Sequence, residues 1–257
     1  HFYLMKKISI KGEDYQKYYK QLILKKIGII GQKKIINSKV LVVGAGGLGC
    51  PLILYLAYSG VGNIGIVDHD IVEISNLSRQ ILFTKRDIGK KKVIVAKKKI
   101  KNINNKITVS IYRNKIDKNN IDQIGKNYSI ICDGTDNFKT RYLINDYCVK
   151  NKKILISAAI NKFDGQLFNF DFRDKTACFR CFMPQIPNEE SNCQTDGIMT
   201  TLAGMAGSLQ ANEVIKSILN IKSKKRGNLL IFNSLNSDFR TVKLLKNPDC
   251  KNKNLHG

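Results

Sequence analysis

Apolar residues in this chain fall into short runs, and the period of the pattern switches repeatedly between that of a strand and that of a helix. Runs at 39–43, 63–67, 107–112, 128–132 and 153–158 have strand length and are rich in Val and Ile. Helix-length stretches lie between them, at 49–60, 89–104 and 138–151, with a shorter one at 121–124. Ahead of the first strand, Tyr15, Tyr18, Tyr19, Leu22, Ile23 and Ile27 sit near helical spacing, which predicts one amphipathic helix over 12–37. This alternation predicts an α/β fold, a doubly wound and Rossmann-like sheet that is largely parallel. After residue 158 the pattern changes. Residues 165–172 alternate apolar and polar, as an antiparallel strand does. Residues 184–197 are polar and hold Pro184 and Pro187, which predicts a long loop, and 198–220 read as a helix of small residues suited to close packing. Runs at 229–232 and 239–245 predict closing antiparallel strands. No linker or repeat divides the chain, so 1–257 is expected to be a single domain with halves at about 12–158 and 159–250.

Composition changes the picture in two places. The 257 residues include 44 Lys and Arg against 20 Asp and Glu, a formal charge of +24. The lysines are scattered among Asn and Ile along the whole chain, which reads as a solvated surface that attracts acidic partners. No apolar run approaches the roughly 20 residues that span a bilayer, and the N-terminus has no long apolar stretch, so a cytoplasmic chain with no membrane partner is expected. Seven cysteines, an odd number with one C-x-x-C pair, point to a reducing compartment and to a metal.

The candidate chemistry starts at Gly44-Ala45-Gly46-Gly47-Leu48-Gly49, directly after an apolar run. Such a turn lets backbone N–H groups and a helix N-terminus approach phosphates. Asp68 ends the next apolar run, about 20 residues on, where a ribose-binding carboxylate belongs. On these residues alone NAD or FAD is the ordinary ligand. Arg79 and Lys92 shift the reading. Two cations reaching toward a triphosphate suit nucleotidyl transfer, in which charge builds on the α-phosphate and the departing pyrophosphate. Asp136, at the end of the run at 128–132, has the chemistry of a Mg²⁺ ligand; Asp136 or Asn137 could equally cap the helix that follows.

With these residues in place the chain resembles the MoeB/ThiF family, the bacterial relatives of ubiquitin-activating enzymes. The resemblance is carried by Gly44–Pro51, Gly60–Asn63, Asp68–Gln80, Gly89–Val93, Cys132–Asn137, Arg141–Asp146 and Gly204–Glu213, and extends from about Tyr15 to Cys250. The Asp-x-Asp-x-Val-x-x-Ser-Asn-Leu-x-Arg-Gln string is its most specific part. The resemblance implies ATP-dependent adenylation of the C-terminal glycine of a ubiquitin-like sulfur-carrier protein, MoaD- or ThiS-like, for molybdopterin or thiamine synthesis. It places Gly44, Gly46 and Gly47 against phosphates and Asp68 on the ribose. It assigns Ser75, Asn76, Leu77 and Arg79 to the nucleotide site, Lys92 to the α-phosphate, and Asp136 to Mg²⁺ with Asn137 beside it. It also implies a homodimer, in which the N-terminal helix reaches the partner's site. The family's Arg there is Lys20 in this chain, which keeps the charge and loses the planar fork.

The family's Zn²⁺ is held by two C-x-x-C pairs. Cys178 and Cys181 supply the first; Cys250 begins the second, but position 253 is Lys. His256 is the candidate fourth ligand. Cys193, in the polar loop, stands where several relatives form a covalent link to the carrier. Two alternatives remain open on sequence: a tRNA-modifying enzyme of the same fold, which the charge favours and the Cys178/Cys181 pair does not, and an NAD-binding dehydrogenase, which leaves Arg79, Lys92 and Asp136 without roles.

Overall fold

A computed structural model of the protein describes residues 10–174, 176–186, 197–221 and 227–255. Eight strands form one sheet: β1 (Lys39–Val43), β2 (Asn63–Val67), β3 (Thr108–Tyr112), β4 (Ile130–Asp133), β5 (Ile154–Asn161), β6 (Asp164–Asp171), β7 (Asn228–Asn233) and β8 (Asp238–Lys243). Their order is β3-β2-β1-β4-β5-β6-β7-β8. The first five are parallel to one another, and β6, β7 and β8 are added through antiparallel pairings. The helices are α1 (Glu13–Leu22), α2 (Gly28–Asn37), α3 (Gly49–Ser59), α4 (Lys92–Ile103), α5 (Ile121–Gly125), α6 (Phe138–Lys150), the single turn α7 (Phe179–Phe182) and α8 (Thr200–Ile218). Among the described residues no helix is long and apolar enough to cross a membrane.

The central parallel strands are mostly apolar because helices cover both faces of the sheet. On β1, Val40 and Val42 join the core under α3, α4 and α8, while Leu41 and Val43 join the core under α5, α6 and α7. Chain order runs outward in opposite directions from β1 and β4, so the sheet has its switch point between them. Their two C-terminal turns meet backbone to backbone. Gly44 has φ +95°, and a Cβ there would come within 2.9 Å of the Gly134 carbonyl oxygen. A Cβ on Gly49, the first residue of α3, would fall on the carbonyl oxygen of Gly44.

Two expectations are corrected. The stretch 12–37 is two helices, broken at residues 23–27 and followed by Gly28 at φ +54°. Of its expected apolar face only Tyr18 is buried, seated against Gly60 with its hydroxyl bonded to Asn104, 2.8 Å away. Two polar positions of β6 do not face water. Asn169 is buried and donates to Glu213 of α8 at 2.7 Å, and Asp171, also buried, pairs with Arg173 at 2.6 Å. The close packing expected of the small residues on α8 is present at Gly207, where a Cβ would strike Leu48 and Pro51.

Because Gly49 has no room for a side chain, Gly49→Ala is expected to destabilise the chain by about 1–3 kcal/mol. Urea unfolding checks this, and an unchanged midpoint would show that the turn yields more easily than its packing implies.

Candidate functional site

At the switch point the carboxyl ends of the parallel strands open into a cleft of about 860 Å³, a size typical of small-molecule sites. Its wall includes Gly44, Gly46 and Gly47 of the first turn, Asp68, Asn76, Arg79 and Lys92 of the second crossover, and Asp136 and Asn137 after β4. Three separate segments that the sequence singles out thus share one cavity. Ser75 and Leu77 are not on its wall: Leu77 packs against the first core, and Ser75 contributes its carbonyl to Arg79 at 3.1 Å. Lys20 lies exposed on α1, beside the Tyr19 ring, and does not line the cleft of its own chain. Cys193 and His256 lie outside the described residues.

Each wall residue is held by local structure. The Asp68 carboxylate accepts from the Ala45 amide at 2.7 Å and the Asp70 amide at 2.8 Å, tying the glycine turn to the end of β2. The connection that follows is folded over a short 3-10 turn, Ile74–Asn76, in which the Asn76 side chain accepts from the Glu73 amide at 3.2 Å. Arg79 leans on Gly47, where a Cβ would come within 3.5 Å of its side chain. Lys92 is 5% exposed, and its ammonium pairs with Asp70 at 3.0 Å. After β4, Asn137 caps α6 by accepting from the Thr140 amide at 2.9 Å. That leaves Asp136 exposed, and among the described residues its carboxylate has no hydrogen bond or ion pair.

Gln80 is a wall residue that a reading of single motifs misses. It is buried, and its Oε1 has no hydrogen-bond partner among the described residues. A buried amide oxygen is costly unless something donates to it, and a ligand hydroxyl would. Its place at the end of the Ser-Asn-Leu-x-Arg-Gln string was the available signal. Asp70, Lys91, Arg141 and Phe179 also line the cleft. The glycine cradle, the orphaned amide and two cations fit a nucleoside triphosphate; the unpartnered Asp136 fits a hard divalent cation.

A second cluster lies behind α6. The sulfurs of Cys178, Cys181 and Cys250 are all within 4.8 Å of one another, with Cys178–Cys250 at 3.7 Å and Cys178–Cys181 at 4.0 Å. A tetrahedral zinc with sulfurs at about 2.3 Å would set them about 3.8 Å apart, so the three present fit such an ion. Lys253, in the short turn Lys253–Leu255, supplies no fourth ligand. The sulfur contact with Cys178 draws the Cys181 thiol down, while the same contact and burial push Cys178 up. Cys50, by contrast, is an inert core thiol, pushed up to about 12 by burial.

The cluster is anchored to α6 by Asp146. This carboxylate accepts twice from Arg180, at 2.7 Å each, and from the Asn252 amide at 2.8 Å; Asn252 in turn reaches Cys178 sulfur at 3.8 Å.

Comparison with known proteins adds the following. Residues 18–252 match the model of the ThiF family. A probable molybdopterin-synthase adenylyltransferase of Porphyra purpurea is 45% identical over 235 residues, 91% of this chain and 62% of that protein. A sulfur carrier protein adenylyltransferase of Thermus thermophilus is 38% identical over 244 residues, 93% of this chain and 90% of the relative. The crystal structure of E. coli MccB with ATP has a TM-score of 0.75 at 26% identity, covering 86% of this chain and 68% of that one. The chain spans 62% of the Porphyra protein and 56% of the adenylyltransferase and sulfurtransferase MOCS3 of Culex quinquefasciatus.

Burial alone would push the Asp146 carboxyl up, but the Arg180 and Asn252 hydrogen bonds and the Arg180 charge outweigh it and hold it below the usual carboxylate range. The resulting stabilisation is complete above about pH 4 and is lost as pH falls through the lowered folded value. Asp146→Asn is therefore expected to lower the thermal midpoint at pH 7, with the gap to wild type closing in acid. Melting scans between neutral and acid pH read this directly; a gap that stays constant with pH would show that the charge is not its source.

Proposed function

The chain belongs to the ThiF family, and from that premise we propose that it is an ATP-dependent adenylyltransferase. Its substrate in this reading is the C-terminal glycine of a ubiquitin-like sulfur-carrier protein, MoaD-like for molybdopterin synthesis. A ThiS-like carrier for thiamine synthesis would use the same chemistry. The observation that carries the reading is one cleft at the sheet's switch point. There a glycine cradle, two cations and an unpartnered carboxylate line a single wall. Hydride transfer needs no such cations, because a dinucleotide's pyrophosphate is held by the helix end.

The chemistry needs no protein nucleophile. The carrier's carboxylate oxygen attacks the α-phosphorus, a new P–O bond forms, the bond to the bridging oxygen breaks, and pyrophosphate leaves. The chain aligns the reactants and stabilises charge. The glycine turn receives the phosphates with backbone N–H groups, and Asp68, already fixed by two amides, faces the ribose. Arg79 and Lys92 neutralise the α-phosphate and the leaving group. Asp136, with Asn137 beside it, would hold Mg²⁺, which supplies charge neutralisation across the phosphates. Lys20, exposed on α1, would serve the cleft of a second copy in a homodimer. Cys178, Cys181 and Cys250 would hold Zn²⁺, which supplies a structural crosslink between the α7 turn and the C-terminal segment.

Two measurements test this reading. The chain should catalyse ATP–pyrophosphate exchange that requires a carrier ending in Gly-Gly. Arg79→Ala, Lys92→Ala and Asp136→Ala should each lower it by about 10²–10³-fold. ATP binding without exchange, across all carriers encoded beside this chain, would defeat the assignment. Metal analysis should find about one zinc per chain, lost in Cys178→Ser; protein purified without chelator and free of zinc would show that the three thiols do not form a metal site.

A further inference from the structure

A buried arginine to which the cleft's chemistry assigns no role bonds the carbonyl of the residue before Asp136. We infer that Arg141 is the positioning residue of the Mg²⁺–ATP site, acting on Asp136 through Thr135. The inference rests on the reading of Asp136 as the Mg²⁺ ligand.

Arg141 is 6% exposed and lies on the first turns of α6. Its Nε donates to the Asp133 carboxylate at 3.0 Å, and its Nη2 donates to the carbonyls of Thr135 and Ala158, each at 3.0 Å. Asp133 is fully buried and its carboxylate is saturated by four donors. Besides Arg141 these are the Ser157 hydroxyl at 2.7 Å, the Thr135 amide at 3.0 Å and the Thr135 hydroxyl at 2.6 Å. Thr135 is therefore gripped at its N–H, its hydroxyl and its carbonyl. On the other side of Asp136, Asn137 is fixed by the Thr140 amide. Asp136 stands between two pinned residues, so its carboxylate is aimed by its neighbours although it makes no bond itself. A packed side chain holds the strut from above: the Arg141 guanidinium lies 5.7 Å from the centre of the Phe179 ring, and the Phe179 amide is held by Asn145 at 2.9 Å.

A pair that served only to fasten β4 to β5 could stop at the Asp133 carboxylate and the Ala158 carbonyl. The bond to the Thr135 carbonyl reaches into the turn that carries Asp136, and this bond distinguishes a positioning role from a structural one. Residues that orient a metal's ligands typically contribute 10–100-fold to metal affinity.

The test uses Arg141→Lys, which keeps the charge but cannot bridge three acceptors in one plane. The Mg²⁺ concentration giving half-maximal exchange should rise about 10–100-fold. ATP affinity measured in EDTA should fall far less than the Mg²⁺ affinity, because the three guanidinium bonds go to Asp133, Thr135 and Ala158 and none goes to Arg79, Lys92 or the glycine turn. Mn²⁺ binding to the enzyme–ATP complex, read by electron paramagnetic resonance, should weaken by the same factor as the Mg²⁺ requirement rises. In an Asp136→Asn background the substitution should add little, since both act on one ligand. A merely structural role would lower the melting temperature and leave the Mg²⁺ midpoint and the Mn²⁺ affinity unmoved, and that result overturns the inference. Should Arg141→Lys fail to fold, the neutral pair Asp133→Asn with Arg141→Gln removes the bridge to the Thr135 carbonyl without stranding a charge and is read the same way. Wild-type protein that does not exchange pyrophosphate defeats the adenylation reading instead, and the Mn²⁺ measurement then decides the role of Arg141 by itself.

Discussion

Two parallel strands at the centre of the sheet end side by side, and their turns touch through backbone with no room for a Cβ. The Gly44 amide bonds the Val67 carbonyl at 2.8 Å, and the Gly134 amide bonds the Val43 carbonyl at 2.9 Å. This contact sets the distance between everything that follows β1 and everything that follows β4. It brings the phosphate cradle and the Asp136 turn onto one cleft, and it requires glycine at position 44, where φ is +95° and a Cβ would press on the Gly134 carbonyl. From below, Gln210 of α8 donates to the carbonyls of Asp133 at 2.8 Å and Ile156 at 3.2 Å, bracing the ends of β4 and β5 together. The site is thus built on the interior strands of the sheet, braced from both sides. Only the connection at 68–80 relies on capping turns and on one bridge between Ile71 and Lys91.

Much of this frame is legible in the sequence, for a physical reason. Strands buried on both faces must be apolar throughout, so β1, β2, β4 and β5 stand out as runs of Val and Ile. Their glycine and aspartate ends then name the cleft. What the sequence hides depends on partners far along the chain. The break at 23–27 is invisible because Ile23 and Ile27 continue the apolar rhythm through it, although Ile23 ends up exposed. Asn169 and Asp171 look like the wet face of a hairpin strand, but Glu213 and Arg173 let them be buried. Arg141 reads as one more cation at the start of a helix. Its importance appears only when the Ala158 carbonyl and the Phe179 ring are found on it. Cys178 and Cys181 are readable from their spacing, Cys250 is named only by the family resemblance, and the expected fourth ligand, His256, lies outside the described residues.

The formal charge of +24 has little to do with the cleft. On α4 the buried side is Val93, Val95, Ala96 and Ile100, and Lys97 and Lys98 face solvent on the other. That is the division of an ordinary amphipathic helix with its polar side written in lysine. The cations that line the cleft include Arg79, Lys91, Lys92 and Arg141, and of these Lys92 and Arg141 are buried. An acidic carrier would feel the diffuse surface field as it approaches, whereas the chemistry would depend on a few charges held at fixed distance.

The pairing of Lys92 with Asp70 has a consequence for the whole turnover cycle. The two partners are unequal in their surroundings: the lysine side chain is 7% exposed and the aspartate 50%. A buried ammonium without a counter-charge is expensive, while a half-hydrated carboxylate can stand alone. When a phosphate takes over the lysine in the proposed reaction, the aspartate it leaves behind is solvated, and when pyrophosphate departs the lysine has a partner waiting. Anion exchange at this position is therefore a hand-over between two partners, and at no stage does it require a naked cation inside the protein.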